Sequence, residues 1–137
     1  MFDKSVFDGR RVLVTGGVSG IGLGCVRRLA AGGARVAINH LPKDPVAKDT
    51  LAGLVKAGFD VLSCPADIAE ASVEPAVAEA IDRLGGLDWL INSAGIGLVK
   101  DPIPFSDLSA LSEDFWQQML SVNLLGAFRC ARAAAPA

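Results

Sequence analysis

Tyrosine is absent from this chain, histidine occurs once (His40), and the three cysteines, Cys25, Cys64 and Cys130, are scattered without any Cys-x-x-Cys pair. So few soft and imidazole ligands, so far apart, argue against a metal site. An odd number of lone thiols argues equally against a disulfide framework. Each cysteine falls in an apolar pattern, where a small buried hydrophobe accounts for it. No apolar run reaches the ~18 residues that a membrane span requires. No basic stripe is present: Arg27-Arg28 reads as the solvated face of a helix, and the formal net charge is -2. Nucleic acid and membrane are therefore set aside as partners. The opening Met1-Phe2-Asp3-Lys4 lacks the charged-then-apolar order of a secretory signal, so the cytoplasm is the expected compartment. With 137 residues, the default is a single domain, 1–137.

Apolar, β-branched runs at 11–15, 35–39, 60–64 and 87–91 alternate with amphipathic stretches at 19–31, 45–57, 71–84 and 112–134. Short Val/Ile/Leu-rich strands separated by helices predict right-handed βαβ crossovers. The expected fold is a Rossmann-type, three-layer αβα arrangement with a parallel sheet in the order 3-2-1-4 and four helices, incomplete for its class. Ile21, Cys25 and Leu29 share one face of the first helix, which stops at Gly32-Gly33. Pro45 opens the second and Gly58 closes it, and Val73, Val77 and Ile81 line the third ahead of Gly85-Gly86. The fourth is apolar nearly all round (Phe115, Trp116, Met119, Leu120, Val122, Leu124, Leu125, Phe128), so it must be covered on two sides. One side can lie on the sheet; the other calls for further chain or another subunit. A loop at 97–111, with Pro102 and Pro104, is long enough to be functional.

The most specific signal is Thr15-Gly16-Gly17-Val18-Ser19-Gly20-Ile21-Gly22, set between the first strand and first helix. A strand that turns through glycines into a helix leaves backbone N–H groups aimed at one point, where the helix dipole also favours an anion. That point suits a pyrophosphate. Gly16 permits the tight turn, Gly20 the approach of a ligand to backbone, and Gly22 the close packing of helix on strand. The absence of Gly-Lys-Ser/Thr after the glycines disfavours a phosphate-binding NTPase. His40, at the end of the second strand, replaces the acid that a methyltransferase would carry.

Taken in order, these residues resemble the short-chain dehydrogenase/reductase family along essentially the whole chain. Thr15-Gly16-x-x-x-Gly20-Ile21-Gly22, with Ser19 inside it, matches the family's coenzyme turn. Asp67, with Ile68, matches the acidic position that contacts adenine, although Asp67 alone also reads as a turn cap. Asn92-Ser93-Ala94-Gly95 is similar to the family's Asn-Asn-Ala-Gly, with Ser93 departing from it. There the Asn steadies the sheet and Ala94-Gly95 lines the ribose and nicotinamide side. Asn123 matches the helix asparagine that supports a proton-relay water, and otherwise reads as a polar residue satisfied by backbone.

The resemblance implies an NAD(P)-dependent oxidoreductase that moves hydride between nicotinamide and a small alcohol or ketone. The apolar fourth helix adds the expectation of a homo-oligomer formed through it in the full-length form. The coenzyme is NADP or NAD. No acid stands at His40 to accept a ribose 2′-OH, Lys43 is within reach of a phosphate, and Asn39 of a hydroxyl, which tips the balance to NADP. His40 is either a ribose-edge residue or an exposed loop residue. The family's tyrosine, the lysine four residues after it and an upstream serine have no counterpart here. The chain therefore reads as a cofactor-binding portion that stops ahead of its catalytic segment. The alternatives are a non-catalytic dinucleotide-binding module and an inactive, unstable truncated product.

Overall fold

The computed structural model describes residues 5–97 and 107–137; the proline-containing stretch 98–106 of the predicted loop lies outside the described residues. Four parallel strands form one sheet in the order β3-β2-β1-β4: β1 (Arg11–Thr15), β2 (Arg35–His40), β3 (Val61–Pro65) and β4 (Trp89–Asn92). Helices α1 (Gly20–Ala31), α2 (Ala47–Lys56) and α3 (Val73–Leu84) connect them. After a 3-10 turn (Leu108–Ala110) comes one helical rod in three consecutive parts: α4 (Glu113–Leu120), a π-helical segment (Ser121–Gly126) and α5 (Ala127–Ala134). The expected sheet order and the αβα class are both present.

Alternation along the central strands divides the core into two layers. Val12, Val14, Val36 and Ile38 face Val26, Leu29 and Ala30 of α1 and Leu54 of α2. Leu13 and Ala37 face the other way, onto Val73, Val77, Ala80, Ile81 and Leu84 of α3 and Cys130 of α5. Residues Val12, Leu13, Val14, Val36, Ala37 and Ile38 have no exposed surface, as expected of doubly covered parallel strands. Cys64 and Cys130 belong to the second layer and are buried, while Cys25 is half-buried. Burial pushes the Cys64 and Cys130 thiols up to about 11, so at neutral pH they are protonated and act as small hydrophobes.

Several boundaries differ from the sequence reading, each for a local reason. Register with β1, which pairs Val12 with Trp89 and Thr15 with Asn92, starts β4 two residues later than the apolar run suggests. In α2 the Asp44 carboxylate takes the Val46 N–H at 2.9 Å and holds a turn, so the helix proper begins at Ala47 rather than at Pro45. The buried line of α1 is Gly22, Val26, Leu29 and Ala30, not the line through Ile21, which is 82% exposed. In the final rod the Ser112 hydroxyl caps α4 by accepting the Phe115 N–H at 3.1 Å. The single long α-helix expected there is interrupted by the π-helical segment. Trp116, Leu120, Leu124 and Phe128 form an exposed stripe along the rod, while the opposite side carries Gly126 against Ile68 and Cys130 in the core.

At the amino end of β1, Arg11 donates from Nε to Asp88 Oδ2 at 3.1 Å, and its backbone N–H reaches the same oxygen at 2.8 Å. These hydrogen bonds hold the Asp88 carboxyl down to about 2 from an ordinary 3.8. A carboxylate with a depressed folded-state pKa stabilises the fold fully above its unfolded value, and that stabilisation is lost as pH falls from about 4 towards 2. Chemical denaturation of the parent and of Asp88→Asn should therefore converge as pH falls through that window and diverge above it. Equal pH slopes for the two proteins would refute the assignment.

Candidate coenzyme cleft

The carboxyl ends of β1, β2, β3 and β4 open onto a cleft of about 610 Å³, within the usual range for small-molecule sites. Parallel strands expose their carboxyl ends where the order reverses, and β1 lies at that reversal between β2 and β4. The glycine turn forms one wall, from Gly16 and Val18 to Gly22. Gly16 has φ 62 and Gly20 φ 53, left-handed values that favour glycine. A Cβ on Gly16 would lie 2.9 Å from Ala94 Cα, and one on Gly22 would lie 2.2 Å from the Gly16 carbonyl oxygen, so both glycines are required by close backbone approach. A Cβ on Gly20 meets nothing within 4 Å, and the residue itself lines the cleft. Ser19 is the N-cap of α1 in extended conformation (φ -150, ψ 170), yet its side chain makes no capping hydrogen bond. The amino end of α1 is thus left open towards the cleft.

Thr15 and Asn92 lie outside the lining. Thr15 is 1% exposed, and its Oγ1 accepts the backbone N–H groups of Ser93 at 3.0 Å and Ala94 at 3.1 Å. It therefore builds the wall that Ser93, Ala94, Gly95 and Ile96 present to the cleft. Asn92 is exposed on β4, paired in register with Thr15. Asn123 lies in the π-helical segment and acts one step back: its Oδ1 accepts the Ile96 N–H at 2.9 Å and its Nδ2 donates to the Ile96 carbonyl at 3.0 Å. π-helical turns are frequent at functional sites, and this one sets the clamp on the turn after β4. Its neighbour Val122 reaches the cleft itself.

The floor and far end come from β2 and β3. The Asn39 amide, 2% exposed, donates both its hydrogens, to the Cys64 carbonyl at 3.1 Å and the Ala66 carbonyl at 3.0 Å. His40 is 8% exposed, so it is not an exposed loop residue. Its Nδ1 lies 2.8 Å from the Leu41 carbonyl, which can only accept, so Nδ1 carries a proton, and Nε2 lies 2.8 Å from the Ser63 hydroxyl. Asp67 Oδ1 accepts the Ala69 N–H at 2.9 Å, the turn-capping arrangement, while the residue still lines the cleft beside Ile68. The loop that carries Asp67 is tied to the final rod, where Arg129 donates to the Ala69 carbonyl at 2.8 Å. Sequence reasoning missed Leu41 and Asp44, which no motif marks; Ala66, next to Asp67, was within reach of the motif already noted. Among the described residues no three His, Cys, Asp or Glu gather as metal ligands. No helix among them is long and apolar enough to cross a membrane.

Fold and cleft together define a Rossmann-type α/β domain with its site at the carboxyl edge of the sheet. The short chain dehydrogenase family model matches residues 10–137, and the chain belongs to that family. It is 41% identical over 122 residues to the short-chain dehydrogenase/reductase eriH of Hericium erinaceus, covering 86% of this chain and 46% of that protein. It is 31% identical over 128 residues to the 3-oxoacyl-acyl-carrier-protein reductase FabG of Staphylococcus aureus, covering 93% and 50%. A crystal structure of a short chain dehydrogenase from Burkholderia cenocepacia in complex with NADP superposes with a TM-score of 0.83 at 35% identity, over 95% of this chain and 51% of that one. The chain spans about half the length of the relatives it matches.

Thr15→Val keeps the shape of the side chain but strands two N–H groups, at about 1–3 kcal/mol for each buried donor left unsatisfied. Chemical denaturation should show a loss of that order, and Thr15→Ser, which restores the acceptor, should recover most of it. Equal stability of Thr15→Val and the parent would remove Thr15 from its role as the hinge of this wall.

Proposed function

We propose that this chain binds a nicotinamide dinucleotide, NAD or NADP, in the cleft and forms the coenzyme-binding part of an oxidoreductase acting on a small alcohol or ketone. The observation that supports it most is the open amino end of α1. Glycines at 16, 20 and 22 bring backbone close to the cleft, Ser19 makes no capping hydrogen bond, and Ile21 is 82% exposed beside it. Such an end receives an anion through N–H groups and the helix dipole, with no cationic side chain needed. When bound, the nicotinamide ring supplies or accepts the hydride.

On this reading the turn at 16–22 binds the diphosphate, and Asp67 and Ile68 border the adenine. Asn39 and His40 border the adenosine ribose, and Ala94 and Gly95 border the second ribose and the nicotinamide. Thr15 acts from behind, by holding the turn after β4, and Asn92 pairs with it in register at the end of β4. Asn123 is a positioning residue that fixes Ile96. Hydride exchange with a carbonyl needs an accompanying proton transfer by a group tuned near neutral pH. The 137 residues contain no tyrosine for that role, so coenzyme binding without ketone turnover is the expected behaviour of this chain alone. A non-catalytic dinucleotide-binding module is the second reading, favoured by the same absence. Fusing the chain to the half of a full-length relative that it does not match separates the two, by gain or lack of turnover.

Titration with NADH and NADPH, followed by coenzyme fluorescence, tests the proposal directly. Saturable binding is expected, and Gly20→Ala should weaken it at least about tenfold, or about 1.4 kcal/mol, since Gly20 lines the cleft and its φ of 53 favours glycine, so a side chain there disturbs the turn that offers the N–H groups. Failure of a folded sample to take up either coenzyme ends this reading. We propose further that the exposed stripe of Trp116, Leu120, Leu124 and Phe128 is the surface through which copies associate. Leu124→Glu should then raise the monomer fraction in sedimentation velocity with the far-UV spectrum unchanged.

A further inference from the structure

The final rod reaches the cleft at two places that lie far apart in the sheet. Asn123, in the π-helical segment, fixes Ile96 at the carboxyl end of β4. Arg129, further along in α5, donates from Nη1 to the Ala69 carbonyl at 2.8 Å and to the Ile68 carbonyl at 3.4 Å, in the loop that leaves β3. β3 and β4 are the two outer strands of the sheet, separated by three strand spacings or about 14 Å. A dinucleotide laid across the carboxyl ends has one half beside each of these loops. Each half therefore meets a loop braced by a different side chain of the same rod.

Arg129 is half-buried and stands outside the cleft lining, so it acts through the loop. Its own helix is secured without it: Cys130 has no exposed surface in the core, and Arg132 pairs with Glu74 of α3. Inside the loop the bonds are local turns, Asp67 Oδ1 with the Ala69 N–H at 2.9 Å and the Asp67 carbonyl with the Glu70 N–H at 3.1 Å. These shape the loop without fixing it to another element. Beyond Ala66, the ties to the rest of the molecule come from the rod: Ile68 packs against Gly126, the Ser121 hydroxyl reaches the Ala69 carbonyl at 3.4 Å, and Arg129 reaches it at 2.8 Å. The last is the strongest, because a guanidinium is always charged and a charge-assisted hydrogen bond exceeds a neutral one. Asp67 and Ile68, the loop residues that line the cleft, thus take their position from a cation that never enters it.

We propose that Arg129 is a positioning residue for the adenine half of the coenzyme alone. By holding the Ile68 and Ala69 carbonyls it sets where Asp67 and Ile68 border the base, while the nicotinamide half depends on Asn123 through Ile96. This rests on the proposed dinucleotide site and adds to it a division of labour along one rod.

Isothermal titration of the 137-residue chain with ADP and with NADH tests it, ADP supplying the adenine half and the diphosphate without the nicotinamide. Arg129→Met keeps an unbranched stem and removes every donor. It should weaken ADP and NADH by the same factor, about tenfold, with the far-UV spectrum unchanged. Arg129→Lys retains a charged donor and should recover most of that loss. Asn123→Ala should weaken NADH and leave ADP as in the parent. Parent-like ADP binding by Arg129→Met overturns the inference, as does a clearly larger loss for NADH than for ADP in that variant, or an Arg129→Lys no better than Arg129→Met. Equal losses of ADP and NADH in Asn123→Ala overturn it too, and so does collapse of the far-UV spectrum in Arg129→Met, which would make Arg129 a support of the fold. The dinucleotide site survives each of those results, whereas uptake of neither ADP nor NADH by the parent removes both.

Discussion

One hydroxyl holds the cleft together. Thr15 Oγ1, at the last residue of β1 and almost without solvent access, receives the N–H groups of Ser93 and Ala94, where the chain leaves β4. Parallel strands have no hairpin to join their ends, so the turns after β1 and β4 are tied to each other by this hydroxyl rather than by the chain. With the hydroxyl in place, Ala94 sits so close to Gly16 that no side chain fits between. The other wall is fastened in the same manner, by the Asn39 amide bridging from β2 to the carbonyls of Cys64 and Ala66. Buried polar groups cost little when every donor and acceptor is matched, and here the matching also sets the shape of a site.

The final rod extends this scheme from outside the sheet. Asn123 grips both backbone groups of Ile96, and Arg129 holds the carbonyl of Ala69, so one rod braces the loops after β4 and β3 together. Gly126 allows the rod to lie against Ile68, since a Cβ there would come within 2.8 Å of its side chain. An apolar rod whose inner side is spent on the cleft leaves Trp116, Leu120, Leu124 and Phe128 on its outer side, and polarity alone could not have moved them inward.

Much of this was legible in the sequence where the signal is local. The glycine turn and the alternation of strand and helix follow from periodicity and turn chemistry, the 3-2-1-4 order from the family resemblance that those motifs carry, and all are present. The start of β4 was not legible, because it is fixed by register with β1 rather than by where the apolar run begins. Neither was the π-helical segment, since a helix with one extra residue in a turn has no distinctive composition. Ile21 was placed both on a helix face with Cys25 and Leu29 and in the coenzyme turn; it lines the cleft and is exposed at the open end of α1, so its spacing did not mark the buried side. Asp44 escaped notice because it serves a turn rather than a motif, and its place in the cleft wall comes from the crossover between β2 and α2. Asn39 and His40 were found, but their sequence could not tell that their donors are used internally.

The unequal burial of the three sulfurs has a practical side. Two are locked in the interior as neutral thiols, and Cys25 on α1 alone keeps partial access to solvent. A maleimide dye added to the unaltered polypeptide will therefore mark a single position, less than two turns of helix behind the glycine bend. That gives a reporter beside the cleft without engineering any residue.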